Sequence, residues 1–264
     1  MPHLCPSGFS ENWLWKELGH RHWELIGQSL GRAASGFGTE REQPIYAAFQ
    51  RISLEHGALD AVRENDILEV RSALILLSAT RVVSRHRAAC GGRLVADVEM
   101  TSVFIQRRIA GENRSITRVK VGRHPAGPAL VDVGNGHRGS VEAGALPSWT
   151  EMDELGSVVV DPCPQLEFNG AGLLYFSSYV AAVDRTEWQL SGRRRPRSTT
   201  RARRVVFHSN IEIGDRLVVR IKGSMDGATA RFKASICSEA DGRLLAEVMT
   251  DCVNVPMRSS QRTG

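Results

Sequence analysis

Glu167, Phe168, Asn169 and Gly170 stand directly ahead of a stretch, 171–183, that carries no formal charge. Small residues alternate there with large ones, so a helix over it would be apolar on nearly every face and would have to be buried all round. The first N–H groups of such a helix lack intrahelical acceptors and lie at the positive end of its dipole. Gly170, Ala171 and Gly172 put little side chain in front of those groups, and Asn169 adds an amide donor. Donors grouped in this way suit an oxygen that gains negative charge during a reaction. A plainer account is that Asn169 is an N-cap and the glycines allow close packing. The two accounts are compatible.

Other residue types offer less. His20 and His22 flank Arg21 on a helical stretch, and positions two apart do not share a face, so they do not form a metal pair. His22 is kept as a contact to substrate or a proton donor, against a structural role. Seven arginines lie between Arg193 and Arg204, Arg201 among them. Guanidinium forks suit phosphate, so Arg201 is kept as a substrate contact, against a solvated loop. His208 lies on a strand-like segment and reads as structural. No nucleophile elbow, phosphate-binding glycine loop or zinc motif occurs, no lysine is placed for a Schiff base, and no metal or bound cofactor is expected.

These residues need elements to position them. Ser10 is a candidate N-cap, with Asn12 as a competitor, for a helix over 11–30, with Trp13, Leu14, Leu18, Leu25 and Ile26 near helical spacing. Strands are expected over 45–54, 93–109 and 113–121, with one strand or a hairpin over 66–85. Further strands are expected over 205–213, 216–223, 229–239 and 244–255. The region 122–162 is dense in Gly and Pro and reads as a connection. A helix over 171–183 is too short to span a bilayer, which takes about 20 apolar residues.

The chain repeats itself. GRLVADV at 92–98 matches GRLLAEV at 242–248, and DILEVR at 66–71 matches DRLVVR at 215–220, in the same order. Two fused units follow: 1–125 and 163–264, joined by a linker over 126–162. Each reads as a helix and then four or five antiparallel strands, an α+β arrangement in which the sheet wraps its helix.

The composition is that of an ordinary globular chain: 264 residues, 42% hydrophobic and 24% charged. The net charge is +5, but removing the seven clustered arginines turns it into −2. The basicity is therefore local, and a nucleic-acid partner is not expected. Five cysteines without regular spacing fit a reducing compartment. No segment has the pattern of a leader or membrane span, so a cytoplasmic protein without a membrane partner is expected.

The segments ENWLWKELGHRHW, IYAAFQRI and LEFNGAGLLYFSSY, the last followed by DRTEW, resemble the double-hot-dog acyltransferase/decarboxylase family of the leinamycin-biosynthesis type. The resemblance implies a double hot-dog fold. It also implies decarboxylation of malonyl- or methylmalonyl-coenzyme A, with transfer of the acetyl or propionyl group to an acyl carrier protein in polyketide synthesis. It implies a role for a tyrosine, matched here to Tyr46, either as nucleophile or, since a phenol is neutral near pH 7, as hydrogen-bond donor. In that setting Asn169 and Gly170 join Tyr46 as catalytic candidates. Ala171, Gly172, His22 and Arg201 would contact substrate, the arginines gripping coenzyme A phosphates or an acidic carrier. No carboxylate lies within 170–183, where hot-dog dehydratases and several thioesterases carry one, which weighs against dehydration and hydrolysis. A hot-dog thioesterase or dehydratase and a non-catalytic acyl-thioester binding module remain the alternatives. A homodimer is compatible with the sequence.

Overall fold

A computed structural model describes residues 3–31, 44–121, 130–133, 152–191 and 198–255. Arg193, Arg194, Arg195 and Arg197 of the arginine run lie outside the described residues, as does most of the stretch read as a linker.

Two short strands, β1 (Leu4–Cys5) and β2 (Gly8–Phe9), lead into helix α1 (Glu11–Leu30). The local signals for α1 act as expected. Ser10 is extended, and its hydroxyl accepts from Trp13 N–H at 3.3 Å. Gly31, at φ 63°, ends the helix with its N–H turned back on Gln28 and Gly27. Leu14, Trp15, Leu18, Leu25 and Ile26 are buried on one side.

The first repeat continues with β3 (Tyr46–Gly57), β4 (Leu68–Ser78), β5 (Arg81–Cys90), β6 (Arg93–Arg107) and β7 (Ile116–Arg118). Residues 66–85 thus form a hairpin. Next come β8 (Leu130–Val133) and β9 (Asp153–Val160), a one-turn helix α2 (Pro164–Glu167) and helix α3 (Phe176–Leu190). The chain ends with β10 (Ser198–Phe207), β11 (Leu217–Asp226), β12 (Thr229–Ser238) and β13 (Leu244–Asn254). Part of the stretch expected to be a linker is sheet. β9 carries Val158, Val159 and Val160 and pairs with the outer edge of β11, while β8 pairs with β4.

All strands from β3 onward form one antiparallel sheet in the order β8-β4-β5-β6-β3-β10-β13-β12-β11-β9, with β7 beside β6. The order is a palindrome about the β3–β10 pair. α1 packs on β4 and β5, α3 packs on β9, β11 and β13, and the helices meet each other. The repeated sequence segments open β4 and β11, β6 and β13. β3 and β10 each carry a bulge, after Phe49 and after Thr200, 151 residues apart. The helices begin at Glu11 and Phe176, 165 residues apart.

β10 and α3 also differ from expectation. β10 starts at Ser198, not 205, and ends at Phe207. Arginines are tolerated in this central strand because carboxylates from other elements meet them: Asp60 meets Arg201, and Glu11 and Asp184 meet Arg203. α3 starts at Phe176, not near 170, because the preceding residues close a tight loop on Asn169. Among the described residues no helix is long and apolar enough to cross a membrane.

Candidate active site

The two halves meet over few residues. β3 and β10 pair only from Arg51 to Leu54, against Val206 to Arg203. The ladder stops at either end of this junction, and a gap lies near each end. The gap beside residues 46–50 and 207–210 is a cavity of about 260 Å³ roofed by the loop ahead of α3.

One wall is aromatic. The rings of Phe49 and Phe176 are 4.5 Å apart, those of Tyr175 and Phe176 4.7 Å, and those of Trp23 and Tyr175 5.8 Å. Trp23 is fixed by its indole N–H, which donates to Ala47 O at 3.2 Å. Phe176 lies against Gly19 of α1, where a Cβ would come within 2.6 Å of the ring. Burial pushes the Tyr175 phenol up to about 12 and raises that of Tyr179 further, so both remain neutral donors. Tyr179 donates to Ser209 O at 3.1 Å.

The roof is built on Asn169. Its Oδ1 accepts from Ala171 N–H and Leu173 N–H, both at 3.0 Å, and its carbonyl accepts from Gly172 N–H at 2.8 Å. Gly172 sits at φ 68°, a conformation that side chains resist. The loop is held from outside as well. Arg107 donates to Ala171 O, and Asn113 Nδ2 donates to Gly172 O at 2.8 Å and to Ile211 O at 2.6 Å. Asn210 Oδ1 accepts from Leu174 N–H at 3.0 Å.

This geometry corrects the expectation for Ala171 and Gly172. Their N–H groups are committed within the loop and do not lie at a helix terminus. Gly170 is exposed, with nothing within 4 Å of its Cβ position. Asn169 lines the cavity. Because two backbone N–H groups face its Oδ1, its amide has one sensible orientation, and Nδ2 is left as a donor. Behind it, α3 starts at Phe176 and Tyr175 ahead of it supplies no side-chain cap, so the first-turn N–H groups reinforce the same positive end.

The remaining candidates lie elsewhere. Tyr46 faces away from the helices at the start of β3, opposite Ile105, with the Arg107 guanidinium 5.8 Å from its ring centre. It is half-buried and is not among the residues lining the cavity. Arg201 is bound to Asp60 at 2.6 Å and to Gly57 O at 3.1 Å, away from the cavity. His22 is fully buried behind Phe49, in a chain of hydrogen bonds under β4, β5 and β6. The chain runs from Ser72 to His86 (2.8 Å), Ser84 (2.7 Å), His22 (2.6 Å) and Ser102 (2.8 Å). Burial holds both imidazoles neutral, with His22 well below its ordinary value and His86 at about 3. His20, by contrast, is exposed and pairs with Glu24.

Two cavity residues, Arg118 and Asn210, escaped the sequence reading, and a third, His208, had been read as structural. Arg118 of β7 is exposed at the mouth, where the arginine run had been expected to supply a cation. Asn210 shapes the roof. His208 lies just past β10, with Nε2 3.1 Å from Glu247 Oε2. A usable signal was present: the helices carry Trp23 and Trp188, and Leu25 and Leu190, at the same 165-residue spacing as their starts. That repeat places one tryptophan at each gap.

The second gap, about 300 Å³, lies at the start of α1. Arg203 is 4% exposed there and meets Asp184 at 2.7 Å and Glu11 at 3.3 Å. Glu11 also accepts from Thr200 and from Trp15 Nε1. Burial, only partly offset by Arg203, raises the Glu11 carboxyl above its ordinary value. Among the described residues no group of three or more His, Cys, Asp or Glu side chains is placed to hold a metal ion.

No protein-family model matches the sequence, and no curated protein matches it either. Solved structures do match the fold. An acyl-ACP thioesterase from Bacteroides thetaiotaomicron superposes with a TM-score of 0.64 at 10% identity, over 95% of this chain and 93% of that one. The 12:0-ACP thioesterase from Umbellularia californica gives 0.64 at 12% identity, over 96% and 90%. The chain has the double hot-dog fold.

Proposed function

We propose that this protein is an enzyme that cleaves an acyl thioester of coenzyme A or of an acyl carrier protein by hydrolysis in the aromatic cavity between β3 and β10. The observation that carries the reading is Asn169. It is a cavity-lining amide whose oxygen is occupied by two backbone N–H groups, so its nitrogen is the available donor. In the reaction the thioester oxygen takes that hydrogen bond as water adds to the carbonyl carbon. The tetrahedral oxyanion is then favoured by the Nδ2 donor and by the start of α3. The Trp23, Phe49 and Phe176 wall takes the acyl chain out of water, and Arg118 suits a phosphate of the pantetheine arm. Two structural neighbours named as acyl-ACP thioesterases support the same substrate class.

The test is thiol release from short-, medium- and long-chain acyl-coenzyme A and from an acylated carrier protein. Enzyme-dependent release is expected. Absence of both release and acyl-thioester binding would remove the reading.

A second reading, decarboxylating acyl transfer from malonyl- or methylmalonyl-coenzyme A, is favoured by one observation. No Asp or Glu lines this cavity among the described residues, so a substrate carboxylate would meet an apolar, weakly solvated wall without anionic repulsion. Weighing the carrier protein separates the readings: transfer leaves it acylated, and hydrolysis leaves it free. Tyr46→Phe lowers turnover only if the outer face of β3 takes part.

A further inference from the structure

His208 is the cavity-lining residue that acid–base chemistry at this site would call on, and its surroundings define its protonation pattern. Its backbone N–H donates to Leu245 O at 2.8 Å, which fixes the chain where it leaves β10. Glu247 stands opposite Val206 in the β10–β13 ladder, so it and His208 project on one side of the sheet. The two side chains meet at 3.1 Å, with 38% and 39% of their surfaces accessible. A carboxylate only accepts, so Nε2 carries the proton and Nδ1 is the basic nitrogen. The same place in the first repeat, by ladder position, is Ala58, whose N–H donates in the same way to Val95 O at 2.8 Å. An imidazole thus stands at the aromatic gap where the first repeat has only a methyl group.

We propose that His208 is the general base for hydrolysis at this cavity and that Glu247 is its positioning residue; this rests on the acyl-thioester reading above. Nδ1 removes a proton from water as the water oxygen bonds to the thioester carbon, and the carbonyl electron pair moves to oxygen. When the oxyanion collapses, the carbon–sulfur bond breaks and the proton passes from Nδ1 to the leaving thiolate. The products are a carboxylic acid and a thiol, and no other reactant is needed. Glu247 holds the ring in one tautomer and favours the imidazolium while it exists.

The test compares wild type with His208→Ala, His208→Gln, Glu247→Gln and, as a control away from the cavity, His20→Ala. Thiol release gives kcat and KM across pH, and intrinsic tryptophan fluorescence reports acyl-coenzyme A binding. Both His208 variants should lose about 100-fold or more in kcat with binding retained. The acid limb of the wild-type profile should vanish, and added imidazole should restore part of the rate in His208→Ala. Glu247→Gln should lose less, in kcat and not in KM, and His20→Ala should match wild type. His208 variants that turn over within twofold of wild type, or that keep the acid limb, overturn the base while leaving the acyl-thioester reading intact. A wild-type protein that neither binds nor cleaves acyl thioesters overturns both.

Discussion

The crossing of α1 and α3 presents the same junction twice. On one side Phe176, the first residue of α3, lies against Gly19 of α1, with Phe49 and Ile52 on β3. At the equivalent places on the other side stand Glu11, Asp184, Thr200 and Arg203, each 165 or 151 residues away in sequence. Every apolar member of the first junction has a polar counterpart in the second. The sheet beneath the helices shows the reverse. Ser72, Ser84, His86 and Ser102 under α1 correspond in ladder position to Ile221, Phe232, Ala234 and Cys252 under α3. A duplicated fold needs its core packed and its two halves held in register, but it does not need both gaps for a ligand. One gap is free to be apolar and open while the other ties α1, α3 and β10 together through buried charge.

The largest effect should come from the charged junction. Arg203→Met leaves two carboxylates at a buried site without their guanidinium, and a loss of about 3–5 kcal/mol is expected in urea unfolding. Replacing Glu11→Gln and Asp184→Asn in the same chain should recover most of it. Thiol release well below the melting temperature should be unchanged, since Arg203 does not line the aromatic cavity. A stable Arg203→Met protein would mean that the charged gap does not hold the halves together.

Asn169→Asp tests the opposite gap. The carboxylate still accepts the Ala171 and Leu173 N–H groups, so the loop and the melting temperature should persist, while the donor is lost. A fall of about 100-fold in kcat is expected. An equal loss of stability would instead assign Asn169 to holding the roof.

The buried histidines make the first repeat acid-sensitive. His22 and His86 are neutral in the fold, with values below the ordinary 6.5. The unfolded chain therefore binds more protons as pH falls below 6.5. Each histidine should cost about 1.4 kcal/mol per pH unit from there down towards about 3, where His86 itself takes a proton in the fold. Glu11 acts with the opposite sign: its raised value adds stability as pH falls through it. Urea midpoints measured from neutral pH to pH 4 should decline, and less steeply in His86→Gln.

The smallest effect separates the two tryptophans. Trp188→Ala removes a side chain that is 39% exposed at the charged gap and should change stability by about 0.5 kcal/mol and KM not at all. Trp23→Ala opens the aromatic wall and should raise KM for long acyl chains more than for short ones. Equal effects would mean that the two gaps are alike in ligand binding.

Much of the architecture was legible in the residues. Ser10 and Gly31 bound α1 as their types predict, and β11 to β13 lie within a few residues of their expected limits, because caps, turns and alternation act over a few neighbouring positions. The start of α3 was misplaced. The apolar run from 171 looks helical by composition, yet Asn169 draws the Ala171 and Leu173 N–H groups away from it. His22, Arg201 and His208 could not be sorted by type. A histidine in sequence does not reveal whether Ser84 and Ser102 or Glu247 will face it, and Asp60 reaches Arg201 from the other repeat.

The sequence alone determined the duplication, the strand and turn order and the apolar stretch that α3 buries, since these follow from short-range periodicity and from matching segments. The tertiary structure decided which of two equivalent gaps holds aromatic rings and which holds charge, and where the available amide of Asn169 and the imidazole of His208 are brought together. Those outcomes depend on contacts between residues as far apart in the chain as Glu11 and Arg203, and local propensity carries no information about such pairings.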